Sequence, residues 1–239
     1  FQPDICNEIA RHFSGTDIDF YDFWNKYEAS DYYRDDDSIN LRIVNALQDV
    51  IIQAFFLWNC EMFEPMIKQG DVYAELVRLN REQSIIIKTR VYWERIMNFC
   101  YLLIEGKELD SKRSKKKRFK EWAETKGFVF FEDILLLMEQ YDNAFRTPEV
   151  HKFSRIRSAI VKDEKFTAIG YAFAIIVKFG TNVYPNILRI LEGKDIYIRD
   201  WINIDGQLSA FTEMPDWVQE EAKKLGLKEG EIVPFIAKY

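Results

Sequence analysis

The stretch SINLRIVNALQDVIIQAFFLWNCEMF, from Ser38 to Phe63, decides the fold class of this chain. Its apolar residues recur every three or four positions, which is the spacing of one face of an α-helix. They are Ile39, Ile43, Ala46, Leu47, Val50, Ile51, Ala54, Phe55 and Trp58. Pro65 follows, and proline cannot continue the interior of a helix. The pattern therefore predicts a core helix that ends before Pro65.

A longer helical pattern comes next. Gly70 and Asp71 have the character of a chain break and an N-cap. Apolar residues at helical spacing then continue from Val72 to Ile104, and Gly106 is a typical stop. Two long helices with a short connection normally pack antiparallel. The sequence thus predicts a mostly α-helical protein whose bundle is built around a long antiparallel helical hairpin.

Further helical segments extend the bundle. A shorter helix ends near Gly127, an amphipathic run spans Phe131 to Phe145, and a last core helix from about Thr167 to Leu191 has a kink at Pro185. Past Gly193 the pattern changes to short strand-like and helical pieces. The predicted organisation is an acidic N-terminal segment (1–37), a helical bundle (38–192) and a small α/β C-terminal extension (193–239).

Charge is distributed unevenly along the chain. The formal net charge is −6, yet residues 1–37 hold ten acids against three bases, which leaves +1 for all the rest. Residues 81–165 hold 19 bases and 14 acids, or +5. A polyanion responds to the field within a Debye length of roughly 10 Å rather than to the total charge. The composition therefore still allows a nucleic-acid partner.

Cysteine usage and hydropathy bear on location and metal content. Cys6, Cys60 and Cys100 lie far apart and form no cluster with zinc-site spacing, which predicts a reduced, cytoplasmic protein with no metal and no cofactor. The least charged long segment, Phe166 to Leu188, contains Lys178 near its middle. A central lysine costs roughly 2.5 to 3.5 kcal/mol in a membrane helix. We therefore expect a buried helix there and no membrane association.

The candidate catalytic residues lie in the stretch RTPEVH, Arg146 to His151. Thr147 can act as an N-cap and Pro148 fits a first helical position, so a helix is expected from 148 to about 162, with Arg146 just outside it. His151 would then lie on the first turn, where backbone N–H groups favour a phosphate. An imidazole exchanges protons near neutral pH and a guanidinium offers a fixed fork of donors. These are the functions that metal-independent RNA cleavage requires.

Basic residues flank this motif. Lys152 follows His151 directly, and Arg155 lies one helical turn further on the same face, so both are candidate RNA-binding residues together with Thr147. For these residues a purely structural role remains an alternative. Arg155 could instead pair with Glu149 or Glu164. In the same way, Arg146 could pair with a nearby carboxylate while His151 is hydrogen-bonded within its helix.

A second basic element is the run KRSKKKRFK from Lys112 to Lys120, with seven bases in nine positions. Its candidate RNA-binding residues are Lys115, Lys116, Lys117 and Arg118. The alternative is a solvated segment that passes into a helix, with Phe119 and Trp122 packed inward.

Arg146 and His151, with four residues between them, resemble the motif of the HEPN superfamily of helical domains, in which four to six residues separate an arginine from a following histidine. The run PEVHKFSR, residues 148–155, looks like one uncharacterised bacterial branch of that superfamily. Thr147 departs from the pattern, because many active HEPN ribonucleases carry Asn, Asp or His there. The resemblance covers residues 38–192.

The HEPN resemblance implies a metal-independent endoribonuclease that cleaves RNA by 2′-hydroxyl attack, with His151 as general acid or base and Arg146 stabilising the phosphorane. It also implies a homodimer with a composite active site and a role in phage defence or a toxin–antitoxin system, with an antitoxin or defence-system protein as partner. Two alternatives remain, a non-catalytic HEPN-like RNA- or nucleotide-binding module and a helical protein-interaction domain.

Overall fold

In a computed structural model, the chain is described over residues 18–58, 72–110, 115–147 and 168–196, and this part is mostly α-helical. The helices are α1 (Phe20–Glu28), α2 (Asp37–Trp58), α3 (Val72–Glu105), α4 (Lys115–Lys126), α5 (Glu132–Tyr141), α6 (Ala168–Lys178) and α7 (Tyr184–Leu191). A 3-10 helix, Val129–Phe131, precedes α5, and π-helical turns follow α5 (Asp142–Arg146) and α6 (Phe179–Val183). These four ranges contain no strand. The prediction of an all-α bundle is confirmed.

Three glycines end helices where the sequence predicted stops. Gly106, Gly127 and Gly193 have φ angles of 67°, 70° and 64° and follow α3, α4 and α7. Only glycine enters this left-handed region without a Cβ penalty. The predicted end of α2 near Phe63 and most of the predicted C-terminal extension (193–239) lie outside the described residues.

The described residues fall into two compact units. The first comprises residues 18–53, 92–110, 115–135 and 177–196; the second comprises 54–58, 72–91, 136–147 and 168–176.

In the first unit, α1 lies in the acidic N-terminal segment and is part of the core. Its aromatic residues Phe20, Phe23 and Tyr27 are fully buried, and the rings of Phe23 and Phe99 lie 5.7 Å apart. Asp19 caps the helix by accepting hydrogen bonds from two backbone N–H groups of the first turn, at 2.8 and 3.1 Å. The α1 acids stay toward water because the aromatic face takes the buried side.

Antiparallel packing of α2 and α3 is visible in the first unit. Arg42, early in α2, forms an ion pair with Glu108, just beyond α3. Further along α2, Asp49 forms an ion pair of 2.8 Å with Arg95, earlier in α3. The contacts run in opposite directions along the two helices, as the hairpin prediction requires.

A buried polar cluster surrounds the π-helical turn Phe179–Val183 in the first unit. Lys178 is only 2% exposed and forms an ion pair with Asp133, while Asn182 donates a 3.2 Å hydrogen bond to the carbonyl of Phe130. Pro185 explains the turn, because it lacks an N–H and its ring would clash with the carbonyl four residues earlier. A π turn thus lies next to the proline where the sequence predicted a kink, and Lys178 lies in a buried helix as expected.

In the second unit, α5 and its π turn pack on α3 and α6. Tyr141, fully buried, donates a 2.8 Å hydrogen bond to the carbonyl of Ile86. Phe145 is 5% exposed, and its ring lies 5.6 Å from Tyr141 and 5.4 Å from Tyr171. Within the described ranges, no helix is long and apolar enough to cross a membrane.

Candidate functional site

Arg146 is the last residue of the π turn that extends α5. The backbone N–H of Thr147 donates to the carbonyl of Asp142, five residues earlier, and Thr147 has φ −62° and ψ −45°. An N-cap residue has an extended backbone instead. The prediction that Thr147 is an N-cap is therefore wrong, and Arg146 belongs to the end of the preceding helical segment. Burial of Phe145 between Tyr141 and Tyr171 keeps the chain helical through this point.

The Arg146 side chain lies beside a well-anchored turn. Arg90 of α3 forms an ion pair of 3.5 Å with Asp142, whose side chain is 12% exposed. Arg146 itself is partly exposed, and within the described part of the chain no carboxylate oxygen lies within 4 Å of it. The guanidinium is therefore held on a fixed backbone and is compatible with binding an anion such as phosphate.

Three of the candidate residues that follow Arg146 lie outside the described residues: His151, Lys152 and Arg155. The helix expected from residue 148 lies there as well. The proximity of the Arg146 guanidinium to the His151 imidazole therefore stays a prediction.

Residues 115–120 of the basic run begin α4 in the first unit, and residues 112–114 lie outside the described residues. Lys117 lies 3.7 Å from Glu121, and Arg118 lies 3.1 Å from Asp110, so acidic neighbours balance part of its charge. Phe119 is fully buried, as the alternative reading of this run expected. The RNA-binding role of Lys115, Lys116, Lys117 and Arg118 stays a prediction.

An open groove of about 430 Å³ lies beside this basic turn, between the end of α3 and α4. Tyr101 and Trp122 line one part of it, with ring centroids 5.1 Å apart. Leu109 and five charged residues line the remainder: Lys107, Glu108, Asp110, Arg118 and Glu121. Sequence reasoning missed this groove, because Trp122 was assigned to the interior and Tyr101 carried no signal beyond its helical spacing.

Trp122 is held in place at the groove by a hydrogen-bonded carboxylate. Its indole N–H donates to Glu105 at 2.8 Å, and Lys126 forms an ion pair of 2.9 Å with the same carboxylate. The hydrogen bond from Trp122, followed by that from Lys126, keeps the pKa of Glu105 below its usual value. The indole orientation is thus set by a charge-assisted hydrogen bond.

Two other chemically reactive groups in the described ranges are buried or paired with another side chain. Burial raises the pKa of the Cys100 thiol, which is fully enclosed and so lacks the exposed thiolate that a nucleophile needs. Asp133 pairs with Lys178. No group of three or more His, Cys, Asp or Glu side chains that could hold a metal ion occurs among the described residues.

Among the described residues, we therefore take Arg146 on its π turn and the groove beside α4 as two candidate sites. Comparison of the chain with known protein families, with curated proteins and with solved structures finds no match in any of the three.

Proposed function

We propose that this protein is a metal-independent endoribonuclease in which Arg146 and His151 act on RNA. The spacing of the two residues, which resembles that of HEPN ribonucleases, and the helical character of the described chain support the proposal. One observation carries it. Arg146 ends an anchored π turn with a partly exposed side chain, and among the described residues no carboxylate lies within 4 Å of it. Such an environment is compatible with an arginine that binds an anion such as phosphate.

The proposed reaction transfers the phosphate within the RNA strand. The ribose 2′-oxygen bonds to phosphorus while the bond to the 5′-oxygen breaks, which leaves a 2′,3′-cyclic phosphate and a 5′-hydroxyl. His151 takes the 2′-hydroxyl proton or protonates the leaving oxygen, and Arg146 donates hydrogen bonds to the phosphorane oxygens. Such acid–base help is typically worth about 10² to 10⁴ in rate.

A second imidazole is needed because one histidine cannot easily perform both proton transfers. We place it on a second copy of the chain, since an isologous dimer duplicates every group of its interface. The protein would act in the cytoplasm, in phage defence or a toxin–antitoxin system, with an antitoxin or defence protein as regulator.

The decisive experiment incubates the purified chain with single-stranded RNA in excess EDTA and identifies the product ends by mass spectrometry. We expect 2′,3′-cyclic phosphate ends, and cleavage about 10² to 10⁴ times slower for His151→Ala. His12→Ala is the matched control, because it removes the only other histidine. Loss of cleavage in EDTA, or equal rates for the two histidine variants, would refute the proposal.

Dimerisation is tested separately by light scattering and by dilution. Specific activity should fall as the protein is diluted below the dissociation constant of the dimer. A monomer that retains full specific activity would refute the proposal of a composite active site.

A second candidate function is a non-catalytic RNA- or nucleotide-binding module. The basic first turn of α4 favours it, because this turn needs no catalytic residue to bind phosphate. This protein would bind RNA with a strong salt dependence and leave it intact. A helical protein-interaction domain, the remaining alternative, would bind no RNA at moderate salt.

A further inference from the structure

We propose that the groove between the end of α3 and α4 holds one unpaired nucleobase and an adjacent phosphate of the RNA strand. This rests on the proposed function, because it names the part of the RNA that the protein recognises. At about 430 Å³ the groove falls within the range of roughly 300 to 1,000 Å³ that is usual for small-molecule sites.

The aromatic part of the groove is fixed and partly open. Trp122 contacts Phe119 and Phe128, with ring centroids 5.1 and 5.6 Å away, and its N–H is bound to Glu105. Tyr101 and Trp122 nevertheless both stay partly exposed. A rigid, partly exposed aromatic ring can serve as a platform for a planar base, and such stacking is worth about 1 to 3 kcal/mol per base.

The carboxylates of the groove supply hydrogen-bond acceptors without an excess of negative charge. Glu108 pairs with Arg42, Asp110 with Arg118, and Glu121 with Lys117. A carboxylate has roughly four lone-pair directions, so the cations paired with Glu108 and with Glu121 leave acceptor capacity for the N–H groups at the edge of a base. Guanine, with two adjacent N–H donors, matches a carboxylate best.

The wider charge favours an anionic ligand over a basic peptide. Residues 107–120 contain eight lysines and arginines against two acids, Glu108 and Asp110. Lys107 lines the groove and is exposed. Its ammonium group can meet the phosphate attached to a base that is stacked in the groove.

The experiment titrates the full chain with 5′-GMP and, separately, with ribose 5-phosphate, using ligand-detected NMR. We expect 5′-GMP to bind at least about five times more tightly, the lower bound of one stacking interaction. Tyr101→Leu should remove most of this preference, while Tyr101→Phe, which keeps the ring, should retain it. Lys107→Gln, an exposed change, should weaken both ligands. Thermal melts of each variant report on the fold.

Three results would overturn the groove assignment: no binding of 5′-GMP, equal binding by the Leu and Phe variants, or Tyr101-dependent binding of tetra-arginine in place of 5′-GMP. Failure of the nuclease proposal is distinguishable. If 5′-GMP binding depends on Tyr101 and RNA stays intact, the groove assignment is supported and the nuclease proposal is refuted. If Tyr101→Leu cleaves RNA with an unchanged KM, the nuclease proposal is supported and the groove assignment is refuted.

Discussion

The two π-helical turns share a backbone feature and differ in surroundings. Phe179–Val183, in the first unit, is buried at all five residues, and the neighbouring Lys178 is paired with Asp133. Asp142–Arg146, in the second unit, buries Asp142 and Phe145 but leaves Arg146 partly exposed. π turns are frequent at functional sites. The environment of the side chains, rather than the π turn itself, therefore distinguishes a turn that serves packing from one that forms a candidate site.

The two turns share a sequence feature, because a proline follows each at the same offset. Pro185 stands two residues after Val183, and Pro148 stands two residues after Arg146. A proline disfavours the regular helical hydrogen-bond pattern of the turn before it. In the second unit, Phe145 also packs against Tyr171, with ring centroids 5.4 Å apart.

The largest loss of unfolding free energy should come from breaking the buried Lys178–Asp133 ion pair at the first-unit turn. Asp133→Asn leaves the Lys178 ammonium, 2% exposed, without its counter-charge, which costs about 3 to 5 kcal/mol of unfolding free energy. Lys178→Met should cost less, because the Asp133 side chain is 29% exposed and can regain water. Urea denaturation of both variants measures the difference. Equal losses would show that the two partners are desolvated alike.

Removal of the cation at the second-unit turn should affect activity and spare stability. Arg146→Ala should slow RNA cleavage about 10² to 10³ times, the usual loss when a donor to a developing oxyanion is removed. Its thermal midpoint should stay near that of the wild type, since Arg146 is partly exposed. Arg189→Ala, a partly exposed arginine on α7, is the control in the same kinetic assay. Equal rates for both variants would contradict the role of Arg146.

The ion pair that anchors the second-unit turn should contribute an intermediate amount. Arg90→Met removes the partner 3.5 Å from the Asp142 carboxylate and should cost about 2 kcal/mol, the typical penalty for a buried polar group that loses a hydrogen-bond partner. Urea denaturation compares this value with that of Asp133→Asn. A larger loss for Arg90→Met would reverse our ranking of the two turns.

The smallest expected effect is on the pH dependence of folding stability. Glu105, whose pKa is lowered from 4.5 chiefly by the hydrogen bond from Trp122, stabilises the fold fully above pH 4.5. This contribution is lost as the pH falls through the lowered pKa. Glu105→Gln should therefore flatten the acid limb of a stability–pH curve, by less than about 1 kcal/mol because the site is partly exposed. Glu124→Gln, in an exposed pair on α4, controls for the loss of one carboxylate.

Helix positions were predictable because local signals act over a few residues. The spacing of apolar residues located α2 and α3, and Gly106 marked the end of α3. The structure of the candidate site was harder to predict from the sequence. Thr147 and Pro148 carry the local signature of a helix start, yet Thr147 is helical, because packing of Phe145 with residues distant in the chain outweighs a capping preference of about 1 kcal/mol.

The sequence by itself determined a mostly α-helical bundle, the ends of α3, α4 and α7, and the presence of the Arg146 and His151 motif, since periodicity, glycine stops and residue chemistry are local properties. Only the tertiary structure decided that α1 joins the core, that Lys178 meets Asp133 across 45 residues of chain, and that Tyr101 and Trp122 open onto one groove. These outcomes depend on which surfaces the folded chain brings together, and side-chain burial and ion pairing follow from that packing.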